Sequence, residues 1–302
     1  MRLRMPLLAF GPGEIDTMTQ KSFGLRAIAA AAAMVLPCFL NLAGPAHAGT
    51  GQPSPWQMDF QTSVTPIMTA IHDFHIFVTI ISAAITVFVL ALLLIIIIRF
   101  NERANPNPSR TTHHTALEVA WTVIPALILV VIAIPSFRLL FDQLEIPKSD
   151  LTVKAIGTAQ WTWTYEYPDQ GFQFDSTMIA DKDLKPDQPR LLAVDNEMVV
   201  PVNKIVRMQV TAEGIIHAFA VPSFGIKTDA IPGRLNETWF KATREGIYYG
   251  QCSELCGRNH AFMPIAVRVV NEQQFNAWLA DAKKKYATNP VENPVVMAEA
   301  QR

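Results

Sequence analysis

Residues 76–98, IFVTIISAAITVFVLALLLIIII, run 23 positions without one charged side chain. About 20 apolar residues are enough to carry a helix across a bilayer. A second apolar run, VAWTVIPALILVVIAIPSFRLL, covers residues 119–140. Pro125 and Pro135 within it would break an isolated soluble helix, but neighbouring helices in a membrane tolerate them. A buried core helix is the alternative for each run, and the lengths disfavour it.

The segment joining the two runs, RFNERANPNPSRTTHH, carries Arg99, Arg103 and Arg110, whereas residues 49–75 contain no Lys or Arg. The positive-inside rule therefore puts the joining loop (99–117) in the cytoplasm and both flanks outside. Ahead of this, residues 18–48 have a basic start (Lys21, Arg26), an apolar stretch and a small-x-small ending. That is the pattern of a secretory signal over residues 1–48, cleaved after Ala48, with Met18 a second candidate start. Cys38 would leave with it; a lipoprotein cysteine is the rival reading, and Pro37 fits that poorly. The expectation is an external segment (49–75), spans at 76–98 and 118–140, and a bacterial inner (cell) membrane with both termini on the periplasmic side. Glu118 opens the second span at its cytoplasmic mouth. An ionisable group there is a candidate for a proton path, or a carboxylate held by the helix dipole. His113 and His114 read as solvated loop residues.

Beyond residue 145 the texture changes to short β-favouring runs: LTVKAI, QWTWTYEY, KIVRMQV, IIHAFAV, ETWFKA, GIYYGQ and IAVRVV. Turn-rich stretches such as PDQ, KPDQP and IPGRLN separate them. This predicts an all-β sandwich or barrel over 145–270. Asn271 with Gln274 then reads as a capping box, and Phe275, Trp278, Leu279 and Ala282 recur at helical spacing. A terminal helix is expected over 271–286, followed by a loose tail (287–302). The net charge of −1 supplies no basic field, which excludes nucleic acid as a partner class.

Within residues 141–302 the histidines are His217 and His260, and the cysteines are Cys252 and Cys256. Three of the four fall in the stretch GQCSELCGRNHAFM, which ends on Met263. A disulfide between the cysteines suits an oxidising compartment, but it closes a short loop and leaves the His and Met without a role. Two thiolates and two imidazoles also suit a tetrahedral zinc. Thiolate, imidazole and thioether together suit copper; a single blue copper needs only one cysteine, and two thiolates can bridge two copper ions. Copper is the favoured reading, with zinc and the disulfide still open.

The stretches HAFAVPSFGIKTDAIPGRLN and REGIYYGQCSELCGRNHAFMPI resemble subunit II of haem–copper cytochrome c oxidase, and the similarity extends over about residues 55–285. The resemblance implies an N-terminal transmembrane α-helical hairpin followed by an all-β cupredoxin-like Greek-key barrel with a C-terminal helix. It implies a binuclear copper A centre bridged by Cys252 and Cys256, with His217 and His260 each on one copper and Met263 a weak axial ligand. Glu254 would bind through its backbone carbonyl, while its carboxylate reaches a magnesium shared with subunit I. Trp161 would take electrons from cytochrome c at the docking surface, the alternative being a barrel-wall aromatic; Glu118 would open the proton channel into subunit I. Ala159 and Thr162 depart from the family pattern, which has His and Tyr there in many members.

Residues 160–197 hold eight acidic and three basic side chains. Glu166, Asp169, Asp175 and Asp195 are the acids expected near the docking face, where a negative patch would steer a basic cytochrome c. Acidic loops are otherwise just solvated. The implied activity is that of cytochrome c oxidase: electron entry, with haem and oxygen chemistry in subunit I, proton translocation coupled to it, subunit III as a further partner and lipid around the hairpin. The alternatives are a copper-free quinol oxidase subunit II, which the retained ligands disfavour, a soluble copper reductase, and a non-catalytic metal-binding membrane anchor.

Overall fold

The computed structural model describes residues 51–286. The expected signal segment (1–48) and tail (287–302) lie outside the described residues.

The first helix, α1 (Pro66–Arg99), begins ten residues before the uncharged run. Thr65 starts it: its hydroxyl accepts from the Met68 amide at 3.0 Å, and Pro66 takes the first helical position, where no N–H is needed. The lead-in also ties the helix to the domain beyond. The Thr65 hydroxyl donates to the Phe224 carbonyl at 2.7 Å, and the Val64 amide to the Ser223 carbonyl at 3.1 Å.

The second helix, α2 (Thr115–Leu144), runs unbroken through Pro125 and Pro135 and packs beside α1. His114 is not a plain loop residue. Its ring Nδ1 accepts from the Leu117 amide at 3.3 Å, capping α2, because the preceding chain offers the helix no Ser, Asp or Asn at that position. The two helices measure about 51 and 45 Å at 1.5 Å per residue. Their apolar side chains face outward, as at Ile97 and Ile134. An uncovered apolar surface of that extent belongs in lipid.

Among the described residues ten strands follow: β1 (Leu151–Gly157), β2 (Trp163–Tyr167), β3 (Phe172–Ser176), β4 (Met198–Pro201), β5 (Val206–Ala212), β6 (His217–Val221), β7 (Ile226–Ala230), β8 (Asn236–Phe240), β9 (Gly246–Gln251) and β10 (Pro264–Val270). They form sheets of order β3-β2-β1-β5-β8, β4-β10-β9 and β6-β7. The β1/β5 and β4/β10 pairs are parallel and the rest antiparallel, so the chain crosses between layers as a Greek-key sandwich does. Alternation drives the layering: β1 and β5 bury every second residue, Val153, Ala155, Met208 and Val210 among them. Between the sheets lie Trp163, Tyr165, Tyr167, Phe172, Phe219, Phe224 and Phe240, all essentially without solvent contact.

The last helix, α3 (Glu272–Lys285), starts as its cap pattern predicts, with Asn271 Oδ1 accepting from the Gln274 amide at 2.9 Å. It closes one end of the core: Phe275 is buried, and the Trp278 ring lies 5.3 Å from that of Tyr167.

Candidate metal centre

Three strand ends meet at one rim of the sandwich. β6 opens on His217, β9 delivers Cys252 one residue past its end, and β10 begins directly after Met263. Because Gln251 pairs with Pro264, residues 252–263 form a hairpin loop clamped at its base. β6 and β9 approach unusually closely. A Cβ at Gly250 would lie 1.9 Å from the Ala220 carbonyl oxygen, so only glycine fits there. The Ser253 amide then donates to the Ala218 carbonyl at 3.1 Å, bringing Cys252 alongside His217.

The predicted ligands converge. Cys252 Sγ lies 3.8 Å from Cys256 Sγ, 3.7 Å from His217 Nδ1 and 3.3 Å from the Glu254 carbonyl oxygen. Cys256 Sγ lies 3.4 Å from His260 Nδ1 and 3.6 Å from Met263 Sδ. Both cysteines are free and buried, at nearly twice the ~2.05 Å separation of a disulfide. His217 Nδ1 and both sulfurs lie within 4.8 Å of one another, while His260 approaches from the Cys256 side. The imidazoles thus attend different sulfurs.

Sequence reasoning missed what holds these groups. His217 is fully buried, and its Nε2 lies 3.0 Å from the Thr158 carbonyl oxygen. A carbonyl only accepts, so Nε2 carries the hydrogen and Nδ1 turns a free lone pair to the sulfurs. Burial lowers the His217 pKa, with the Thr158 carbonyl opposing that and His260 adding to it. The ring packs on Gly157, where a Cβ would stand 2.6 Å from His217 Cδ2. Trp163, buried in β2, reaches Met263 with Nε1 donating to its carbonyl at 3.2 Å. A tryptophan in QWTWTYEY was visible in the sequence; its bond to a loop carbonyl was not. Burial pushes the Cys256 thiol up to about 12, with Cys252 adding to the effect, so a cation bound there would have to displace its proton. Soft sulfur and imidazole donors dominate this pocket, a set that suits copper or zinc and not a hard cation. The residues present fit a thiolate-bridged metal pair.

Comparison with known proteins settles the family. A model of the periplasmic domain of cytochrome c oxidase subunit II matches residues 151–270, and one of its transmembrane domain matches residues 53–139. A probable cytochrome c oxidase subunit 2 from Rickettsia bellii (strain RML369-C) is 54% identical over 239 residues, covering 79% of this chain and 88% of the relative. The chain belongs to the cytochrome c oxidase subunit II family. The subunit 2 of Cereibacter sphaeroides is 48% identical over 251 residues, 77% of this chain and 82% of that one. The crystal structure of the periplasmic domain of subunit II from Bradyrhizobium japonicum is 64% identical, covers 47% of this chain and 99% of that chain, and superposes with a TM-score of 0.44. Subunit II membership makes this an integral membrane oxidase subunit with two spanning helices and a cupredoxin-like domain, and it implies copper A.

Other expected site residues are placed less uniformly. Trp161 lies outside β2, in the tight turn from β1 to β2, with a left-handed φ of 58°. The Thr158 and Thr162 hydroxyls, 2.7 Å apart, close that turn, which is why the strand expected from QWTWTYEY starts three residues late. The Trp161 indole is half-buried and its Nε1 donates to the Cys256 carbonyl at 2.9 Å. The Glu254 side chain is exposed.

Glu166 is a correction to the docking patch. It is 5% exposed and pairs at 2.9 Å with Lys154, its cross-strand partner, which supplies the countercharge that lets a strand bury it. Asp169 is exposed, but in the turn at the far end of β2 from Trp161. Asp175 and Asp195 are at the Trp161 end. Asp175 accepts from Thr164 Oγ1 at 2.6 Å and Asp195 from the Thr177 amide at 2.7 Å. Glu118 stands in the first turn of α2, where its carboxylate accepts from the His114 amide at 3.3 Å.

Proposed function

We propose that this chain is the electron-entry subunit of a terminal respiratory oxidase. It accepts electrons from a cytochrome c on its periplasmic face and passes them, through a copper A centre, to haem in subunit I, where oxygen is reduced to water with coupled proton translocation. The observation that carries this is the meeting of two free buried thiols, the buried His217 nitrogen, the half-buried His260 nitrogen and a buried thioether at one rim of the sandwich.

Cys252 and Cys256 would bridge the two copper ions, His217 and His260 would each hold one, and the Met263 sulfur and Glu254 carbonyl would complete the set. When bound, a thiolate-bridged copper pair supplies a one-electron relay with its charge spread over both sulfurs. The chain's own part is to keep that site rigid and dry. Thr158 and Gly157 fix the His217 ring, Trp163 fixes the Met263 carbonyl, and burial excludes water from both sulfurs. Preorganised donors need little rearrangement when charge changes. Trp161 would be the entry point: it is half-buried, and its N–H is bonded to the backbone of a sulfur ligand.

The exposed Glu254 carboxylate would reach a magnesium at the subunit I boundary, a hard ion that prefers oxygen. Glu118 would stand at the mouth of a proton path into subunit I, on the cytoplasmic side that the loop arginines indicate. With subunit I, and subunit III as a further neighbour, the hairpin would lie in a bacterial inner membrane with both termini periplasmic. Cys252→Ser in the full-length chain tests the central reading. The two-copper spectrum should vanish, and a spectrum that persists unchanged overturns the bridging role.

A further inference from the structure

We propose that Arg258 sets which donors this face accepts, by placing a fixed positive charge at the centre of the electron-entry surface. The inference rests on the reading of Trp161 as the entry point. Three contacts hold the Trp161 ring. Its Nε1 is bonded to the Cys256 carbonyl at 2.9 Å. The Gly257 backbone is so close that a Cβ there would lie 3.1 Å from Cζ2, and its φ of +113° suits only glycine. The Arg258 guanidinium carbon lies 5.9 Å from the ring centroid, within cation–π range.

Arg258 is exposed, and no carboxylate pairs with it among the described residues. The charge therefore faces an incoming partner unneutralised. Toward β3, Asp175 and Asp195 are anchored to Thr164 and to the Thr177 amide, while exposed Glu213 stands beside the β1–β2 turn and exposed Glu254 in the same loop as Arg258, neither paired with the guanidinium. The entry surface thus carries one unpaired positive charge at Trp161 with acids around it. A donor that brings a lysine directly over Trp161 meets repulsion there, and one that brings a neutral or acidic group does not.

The test uses two probes, a basic and an acidic c-type cytochrome, with the assembled oxidase and with the full-length metal-free chain. Arg258→Gln should raise the second-order entry rate of the basic donor about threefold at low salt and lower that of the acidic donor by a similar factor, both effects fading at high salt. The Kd of each oxidised cytochrome for the metal-free chain should move in the same opposed directions. Arg258→Lys, which keeps the charge, should restore both donors to wild-type values. If both donors shift the same way, Arg258 is only a support for the ring; if neither shifts, its charge is irrelevant; either result overturns the proposal. Trp161→Ala separates the two readings. Should it leave both entry rates untouched, the entry point lies elsewhere, and Arg258 is then judged on the two Kd values alone.

Discussion

The indole nitrogen of Trp161 donates to the carbonyl oxygen of Cys256 at 2.9 Å, a single hydrogen bond joining a solvent-facing ring to the backbone of a buried thiol. Trp161→Phe keeps a ring and removes that bond. We expect electron entry from reduced cytochrome c to slow by roughly tenfold, about 1.4 kcal/mol of barrier, with copper content unchanged. Trp161→Ala should slow it further. Stopped-flow oxidation of the donor, read beside metal analysis, checks both, and wild-type entry rates in the alanine variant would refute the role.

Gly157 is the floor under His217. An alanine there would place its Cβ 2.6 Å from His217 Cδ2, a distance that real contacts do not sustain. The ring must tilt away from the sulfurs or the strand must move, at a cost of about 1–3 kcal/mol. Gly157→Ala should lower both the melting temperature and the copper-to-protein ratio. A full metal complement at unchanged stability would mean that His217 is not seated as described.

Glu118 has two roles that a conservative change can separate. Glutamine keeps a side-chain oxygen able to accept from the His114 amide, so helix capping survives. It cannot carry a proton in the way a carboxyl does. Glu118→Gln should therefore impair proton-coupled turnover and leave copper spectra intact. Normal turnover in this variant would reduce Glu118 to its capping function.

The Glu237 carboxyl is held below its ordinary value of 4.5, chiefly by the hydrogen bond from Arg207, with Gln209 assisting against the opposing effect of burial. A depressed folded pKa contributes stability that is complete above the unfolded value and is lost as pH falls through the folded one. Glu237→Gln should lower the melting temperature at pH 7 by a small amount, since the pair is partly exposed. The difference from wild type should shrink as pH is taken down to about 3, below the usual carboxylate range. An equal difference at both pH values would contradict this.

Much of the architecture was legible because its signals are local. Residues 76–98 and 119–140 announce themselves by length and lack of charge, and Asn271 with Gln274 fixes the start of α3. The β3, β4 and β7 strands, absent from the expected runs, were hidden for physical reasons. FQFDS and IKTDA carry charge on their outer faces, and MVVP is too short to show alternation. At the site, side chains that could be ligands were readable from residue type. The groups that aim them were not: the Thr158 carbonyl and the Gly157 surface act through backbone, and only the packing of β1 against β6 brings them to His217. Glu166 misled for a related reason, since a glutamate between tyrosines looks exposed until Lys154 is placed opposite it.

Cys252 and Cys256 are proposed to share a pair of metal ions. Copper quantification together with an electron paramagnetic resonance spectrum of the purified full-length chain tests it most directly. Two coppers per chain and the spectrum of one unpaired electron delocalised over both are expected. One zinc per chain, or metal-free thiols joined to each other after copper loading under reducing conditions, would contradict it.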